Sequence, residues 1–131
     1  MKKILLIEDN NDILENLTEF LTMEGFQVFT SNCGERGINL ARECISDLII
    51  CDILMPEMDG YEVLHLLLSV VKTHEIPFIF STAKSEKNEK AEALIAGADD
   101  FIVKPYDLEI LLKMANKWIK SGSKRPHEVQ D

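Results

Sequence analysis

The sequence predicts an α/β fold in which a parallel β-sheet is covered by helices on both faces. Short apolar runs alternate strictly with segments of helical periodicity, and five such strand–helix pairs follow one another along the 131 residues. The predicted strands lack the regular alternation of apolar and polar residues, which is typical of strands buried on both faces. A parallel sheet between two helical layers explains both the order and the composition of these elements.

The first two strand–helix pairs are predicted within residues 3–44. Lys3–Ile7 is a continuous apolar run, and Phe26–Thr30 is a more polar one, which is typical of a strand at the sheet edge. Between them, apolar residues recur with helical spacing at Ile13, Leu14, Leu17, Phe20 and Leu21. Gly25 follows as a predicted C-cap. A second helix is predicted from Gly34 to Cys44, with Ile45 continuing its apolar face.

The other three pairs follow the same pattern. Apolar runs predict strands at Leu48–Asp52, Pro77–Thr82 and Phe101–Lys104. Helices are predicted around Tyr61–Val71, at Glu86–Ile95 before Gly97, and at Leu108–Ile119. The remaining residues, 121–131, are polar and include Gly122 and Pro126. We therefore expect one domain at residues 1–120 and a flexible tail or linker at residues 121–131.

Composition and charge fit one acidic domain of ordinary size. The chain is 46% hydrophobic and 28% charged, with a formal net charge of −9, so it has enough apolar side chains for a core. The negative charge disfavours direct binding to nucleic acid or to an anionic membrane surface. The apolar run after Lys3 is too short for a signal peptide, and no run reaches the ~18 residues of a membrane span.

The three cysteines, Cys33, Cys44 and Cys51, are odd in number and show no metal-binding spacing. This pattern is typical of reduced, mostly buried thiols, and a zinc or redox role is not expected. Together with the missing signal-peptide pattern, it predicts a cytoplasmic protein.

Polar side chains occur where the predicted strands end. The first strand ends in Glu8-Asp9, the third in Asp52, the fourth in Ser81-Thr82 and the fifth in Lys104-Pro105. Ligands of open parallel sheets bind beyond the carboxyl ends of the strands. One such acid alone is usually just solvated. We expect this whole set to share one edge of the sheet, and the set predicts a functional site there.

Three carboxylates in one crevice repel one another unless a cation lies among them. Lys104 offsets one charge, and a divalent metal offsets two. Oxygen ligands without His or Cys favour Mg²⁺, with Mn²⁺ as the second choice. Magnesium keeps several waters and often binds a phosphate as well. Because a carboxylate can act as a nucleophile and form an aspartyl-phosphate, the crevice is predicted to handle a phosphoryl group.

Four motifs, ILLIEDN, LIICDILMPEMDG, FIFSTA and GADDFIVKP, occur in this order and on the predicted strands. With them the chain resembles the receiver domain of two-component response regulators over residues 2 to about 120. The resemblance implies a flavodoxin-like, doubly wound (βα)5 fold with a five-stranded parallel sheet in the order 2-1-3-4-5.

The resemblance also assigns the acidic residues. Asp52 looks like the phospho-acceptor, which takes a phosphoryl group from a histidine kinase, a phosphotransfer protein or a small phosphodonor. Asp9, with help from Glu8, looks like the Mg²⁺ ligand, and Asp52 and the backbone carbonyl of Leu54 would complete the protein's share of the coordination.

By the same resemblance, Thr82 would donate its hydroxyl to one phosphoryl oxygen and Lys104 would pair with another. Pro105 would follow a cis peptide bond. Thr82 and Phe101 would form the switch, with the aromatic ring moving inward as the hydroxyl moves toward the phosphoryl group. The output face would consist of the helix at 86–95, the strand at 101–104 and the last helix, and it could support a homodimer.

Three other classes of protein share parts of this pattern. A phosphatase of the haloacid dehalogenase type needs a second aspartate two residues after the nucleophile, where this chain has Leu54. A flavodoxin-type flavin carrier needs a hydroxyl-rich loop after the first strand, where this chain has EDNND. The main alternative is a pseudo-receiver, an interaction module that works without phosphorylation. A receiver domain is a signalling domain, which catalyses only its own phosphorylation and dephosphorylation.

Overall fold

The structure, a computed structural model, describes residues 1–83 and 87–123. The strands are β1 (Lys3–Ile7), β2 (Gln27–Ser31), β3 (Leu48–Asp52), β4 (Phe78–Thr82) and β5 (Asp100–Val103). The helices are α1 (Asn11–Met23), α2 (Gly34–Glu43), α3 (Gly60–Leu68), α4 (Lys87–Ala96) and α5 (Leu108–Ser121). Each strand is followed by a helix, as the sequence predicts.

The five strands form one parallel sheet in the order β2-β1-β3-β4-β5. The doubly wound fold and its strand order are therefore confirmed. β2 lies at the edge, as its polar composition predicts, and its residues are more exposed than those of β3 and β4, which are buried throughout. The chain reverses its direction of winding between β1 and β3, and the polar strand ends meet near this point.

The sheet separates two apolar layers. Successive side chains of a strand point to opposite faces. Leu5 and Ile7 accordingly pack with α2, α3 and α4, whereas Ile4 and Leu6 pack with α1 and α5. The core of the second layer includes Leu17, Leu21, Leu111, Ala115 and Trp118. This alternation decides which side chains at the strand ends face each other.

The ends of the helices explain two departures from the predicted apolar faces. Helix α2 ends at Glu43 and α3 ends at Leu68. Ile45 and Val71 therefore lie beyond the helices that were expected to bury them, and they are 44% and 71% exposed. Gly25, after α1, has a φ of 95°, as expected for a residue that terminates a helix.

Two further expectations meet the structure only in part. Cys51 is buried, but Cys33 and Cys44 are only partly buried, so the expectation of mostly buried thiols holds for one of the three. Helix α5 continues to Ser121, and Ser123 is also buried. Residues 124–131 of the expected tail and Glu86 of the expected fourth helix lie outside the described residues. Within residues 1–83 and 87–123, no helix is both long and apolar enough to cross a membrane.

Candidate functional site at the carboxyl edge of the sheet

Three charged side chains from three strands meet at the carboxyl edge of the sheet. Glu8 directly follows β1, Asp52 ends β3, and Lys104 directly follows β5. Ile4, Ile50 and Ile102 belong to the core layer that α1 and α5 cover. Side chains two residues apart in a strand point to the same face of the sheet, so the three charged side chains also lie on that face. The alternation along each strand thus brings them together.

The lysine lies between the two acids. Lys104 Nζ is 2.6 Å from Glu8 Oε2 and 3.3 Å from Asp52 Oδ2. The side chains are 14%, 5% and 8% exposed, respectively. Asn10 N–H donates a further hydrogen bond to Glu8 Oε1 at 3.2 Å. A buried cation therefore offsets part of the negative charge, as the sequence predicts for Lys104.

The environment of Asp52 disfavours its charged form. Burial and then the charge of Glu8 raise the pKa of Asp52 from 3.8 to about 6, with a smaller contribution from Asp9. Lys104 opposes this shift without abolishing it. One cation is therefore not enough for the cluster, and a second positive charge would favour the ionised carboxylate.

The acids have the geometry of a cation site. Carboxylate oxygens of Glu8, Asp9 and Asp52 lie within 4.8 Å of one another. Asp9 is exposed, so the cluster is open to solvent on one side. An all-oxygen donor set that leaves room for waters fits Mg²⁺, and also Mn²⁺. The carbonyl of Leu54 as a further ligand stays a prediction.

The loop after Asp52 is held tightly against the site. Gly60 N–H donates to the Ile53 carbonyl at 2.8 Å. A Cβ atom on Gly60 would lie 2.4 Å from the Asp52 carbonyl oxygen and 2.9 Å from Ile53 Cα. Both are backbone atoms, which cannot rotate away. The glycine is therefore required so that the start of α3 can approach the backbone of Asp52 and Ile53 this closely.

The same loop contains an unusual backbone conformation. Glu57 has a φ of 68°, and Met58 N–H donates to the Pro56 carbonyl at 2.7 Å. A bond between residues two apart around a positive φ forms a tight, strained turn. Sequence reasoning missed this feature, because glutamate does not mark such positions.

The predicted switch residues, Thr82 and Phe101, lie on strands β4 and β5. Asp52 pairs with Ser81 in the sheet register, and Thr82 follows Ser81 at the end of β4. Thr82 is fully buried. Phe101 pairs with Phe80 and belongs to the opposite core layer, where it is 8% exposed. The ring thus occupies the inward position in this structure, and the Lys104–Pro105 peptide bond is cis.

One polar residue of this region was missed by sequence reasoning. The hydroxyl of Tyr106, two residues after Lys104, is buried and has no hydrogen-bond partner within residues 1–83 and 87–123. Its only sequence signal is a tyrosine directly after Lys104-Pro105.

The strand order and the acid–lysine cluster at the carboxyl edge of the sheet define a flavodoxin-like, doubly wound α/β domain. The family model of the response regulator receiver domain matches residues 4–116. The response regulator SaeR of Staphylococcus epidermidis is 35% identical over 127 residues, which cover 97% of this chain and 54% of the relative. YrkP, an uncharacterized transcriptional regulatory protein of Bacillus subtilis, is 38% identical over 109 residues, or 83% and 46% of the two chains.

Solved structures agree with the sequence comparisons. The chemotaxis protein CheY4 of Vibrio cholerae superposes with a TM-score of 0.85 at 28% identity and covers 89% of this chain and 98% of its own. A receiver domain of a signal transduction histidine kinase from Syntrophus aciditrophicus gives a TM-score of 0.85 at 31% identity, with 100% and 98% coverage.

The chain therefore belongs to the response regulator receiver domain family. This membership makes it a signalling domain of the two-component type. The chain spans about half the length of the curated relatives it matches.

Proposed function

We propose that the domain accepts a phosphoryl group on Asp52, with Mg²⁺ bound by Glu8, Asp9 and Asp52. The observation that carries the proposal is the position of Asp52: its carboxylate lies 3.3 Å from Lys104 Nζ and within 4.8 Å of two further acids. A carboxylate at the carboxyl edge of a parallel sheet, with its pKa raised by burial and by a neighbouring acid, is typical of a functional site.

In the proposed reaction an Asp52 carboxylate oxygen attacks phosphorus. The new P–O bond forms as the bond from phosphorus to the donor's nitrogen breaks, and the donor nitrogen keeps the bonding electron pair. Lys104 neutralises charge on the transferred oxygens, and the Thr82 hydroxyl donates to one of them. A bound Mg²⁺ supplies the further positive charge that favours ionised Asp52 and shields the phosphoryl oxygens.

Intact-mass measurement tests this proposal. Incubation with Mg²⁺ and phosphoramidate should add one phosphoryl group to the wild-type chain and none to Asp52→Asn. Asp107→Asn is the matched control, because Asp107 is an exposed N-cap of α5 and asparagine caps equally well. It should be phosphorylated like the wild type. A wild-type mass that never changes would instead favour the pseudo-receiver.

The donor protein in this proposal is a histidine kinase or a phosphotransfer protein in the cytoplasm. A mainly apolar groove of about 780 Å³ lies between α1 and the segment after β5, and Lys104 lines it. Met23, 80% exposed, lies at the same groove. A docked helix there would bring a phosphorylated side chain to the acidic cluster. Met23→Glu should therefore slow transfer from a protein donor and leave phosphorylation by phosphoramidate unchanged.

The proposed output uses Thr82 and Phe101 as the switch and the face of α4, β5 and α5 as the pairing surface. Leu94 and Ile95 on α4 are 44% and 85% exposed, and Ile110 on α5 is 56% exposed. Exposed apolar side chains on these two helices support a homodimer. Sedimentation of the phosphorylated domain should show dimers that Ile95→Asp weakens.

A further inference from the structure

Tyr106 has a buried hydroxyl that the proposed reaction does not use. Among the described residues, Tyr106 Oη is the buried side-chain oxygen without a hydrogen-bond partner. Burial raises the pKa of Tyr106 to about 12, and the charges of Glu8 and Asp52 act in the same direction. The hydroxyl is therefore a protonated donor, directed to the protein interior near the acids of the site.

Ser81 lies between Tyr106 and the acceptor. Ser81 is 2% exposed and is the register partner of Asp52. Ile79, two residues before Ser81 in β4, packs on the face of the sheet that carries α1 and α5. The Ser81 side chain points to the same face, where the Tyr106 ring also packs. Ser81 lowers the pKa of Tyr106 as a nearby donor would, yet the two hydroxyls do not meet hydrogen-bond geometry.

We propose that Tyr106 is a positioning residue for the aspartyl-phosphate: its hydroxyl donates to Ser81 Oγ, and Ser81 donates its own proton toward the phosphorylated Asp52. This inference rests on the proposed phosphorylation. A phosphoryl group adds negative charge and acceptor oxygens. It draws the Ser81 proton toward itself, which frees a Ser81 lone pair for Tyr106. Hydroxyls linked in such a chain strengthen one another.

A phosphoryl mimic separates this role from ordinary packing. The apparent affinity for beryllium trifluoride with Mg²⁺, and the rise in Tm that it causes, are measured for the wild type, Tyr106→Phe, Ser81→Ala and the double variant. Tyr106→Phe keeps the ring, so the unliganded Tm should stay the same or rise. Its affinity for beryllium trifluoride should fall by about tenfold, the loss expected for a hydrogen bond in a charged network.

The double variant tests whether the Tyr106 hydroxyl acts through the Ser81 hydroxyl. Once Ser81 is alanine, Tyr106→Phe should cause little further loss, because the two hydroxyls act as one unit. Tyr61→Phe is the matched control: the pKa of Tyr61 is also raised to about 12, but its hydroxyl contacts Glu89 at 3.5 Å, away from the site. It should bind the mimic like the wild type.

Two outcomes separate this inference from the proposed function. A wild-type domain that neither binds the mimic nor gains a phosphoryl mass would end both. A wild-type domain that does both, with Tyr106→Phe binding the mimic equally well, would overturn the role of Tyr106 alone. Equal drops in the free and bound Tm would also do so, since they indicate a packing role.

Discussion

The two edges of the sheet use their carboxylates in opposite ways. At the amino edge, each acid has hydrogen-bond donors. Asp99 accepts from Phe78 N–H at 2.9 Å and from the Ser123 hydroxyl at 2.8 Å. Asp100 accepts from the indole N–H of Trp118 at 2.8 Å. These acids join β4, β5 and the end of α5 to one another.

At the carboxyl edge the acids face each other instead. Lys104 is the side-chain partner of both Glu8 and Asp52 among the residues described, and the pKa of Asp52 remains raised to about 6. An acid at a strand end is therefore not functional by itself. The functional edge is marked by a carboxylate that has few hydrogen-bond donors and lies close to other negative charges, so that its charged form is disfavoured.

The largest effect is expected from the amino edge. Asp99→Ala would remove the carboxylate that accepts hydrogen bonds from Phe78 N–H and from the Ser123 hydroxyl. The free energy of unfolding should fall by about 2–3 kcal/mol, because two part-buried hydrogen bonds to a charged group are lost. Urea unfolding at neutral pH measures it. Asp12→Ala, at an exposed position in α1, is the control. A loss no larger than that of the control would remove the contrast between the edges.

At the carboxyl edge the same kind of change should stabilise the fold. The folded state keeps a proton on Asp52 up to about pH 6, whereas the unfolded chain loses it near pH 3.8. Stability therefore falls as pH rises through this window. Asp52→Asn removes the effect and, after allowance for solvent screening and the lost ion pair, should add about 1–2 kcal/mol at pH above 7.

The measurement for Asp52→Asn is urea unfolding in EDTA at several pH values. The advantage of the variant should vanish toward about pH 3, below both pKa values, where Asp52 is protonated in both states. A variant less stable than the wild type at pH above 7 would mean that the pairing with Lys104 outweighs the crowding of charge, and the edges would then not differ in the way described.

The third prediction concerns the lysine between the acids. Lys104→Met removes the group that, among the described residues, lowers the pKa of Asp52, so this pKa should rise further above 6, by about one unit. An NMR titration of the Asp52 carboxyl carbon in EDTA measures the shift. Lys113→Met, an exposed position on α5, should leave the titration unchanged. An unchanged pKa in Lys104→Met would show that Lys104 serves Glu8 alone.

The sequence predicts more of the fold than of the site's energetics. Apolar runs and helical periodicity located all ten elements to within a few residues, because burial determines both patterns. Strand order came from the family motifs, since periodicity does not specify which strands are neighbours. The alternation of side chains then determined that Glu8, Asp52 and Lys104 share one face, which could be anticipated from their positions alone.

The features that were missed depend on distances between residues far apart in the chain. Nothing in the sequence states that Lys104 lies closer to Glu8 than to Asp52, or that the Tyr106 hydroxyl is buried without a partner. The sequence marks Gly60 as a residue that shapes the loop after Asp52, but not that its missing Cβ atom allows a close backbone approach. These contacts appear only when the strand ends are placed in three dimensions.

The smallest effect on stability is expected at Glu57, in the loop after β3, where the unfavourable contribution comes from the backbone conformation and not from charge repulsion. A φ of 68° is unfavourable for any residue with a Cβ atom. Glu57→Gly should raise the free energy of unfolding by about 0.5–1 kcal/mol, because relief of strain exceeds the greater entropy of the unfolded glycine chain. Glu57→Ala removes the same charge but keeps the Cβ atom, so it should change stability little. If the alanine variant gained as much as the glycine variant, the gain would come from removing the Glu57 charge, and the positive φ would carry no measurable strain.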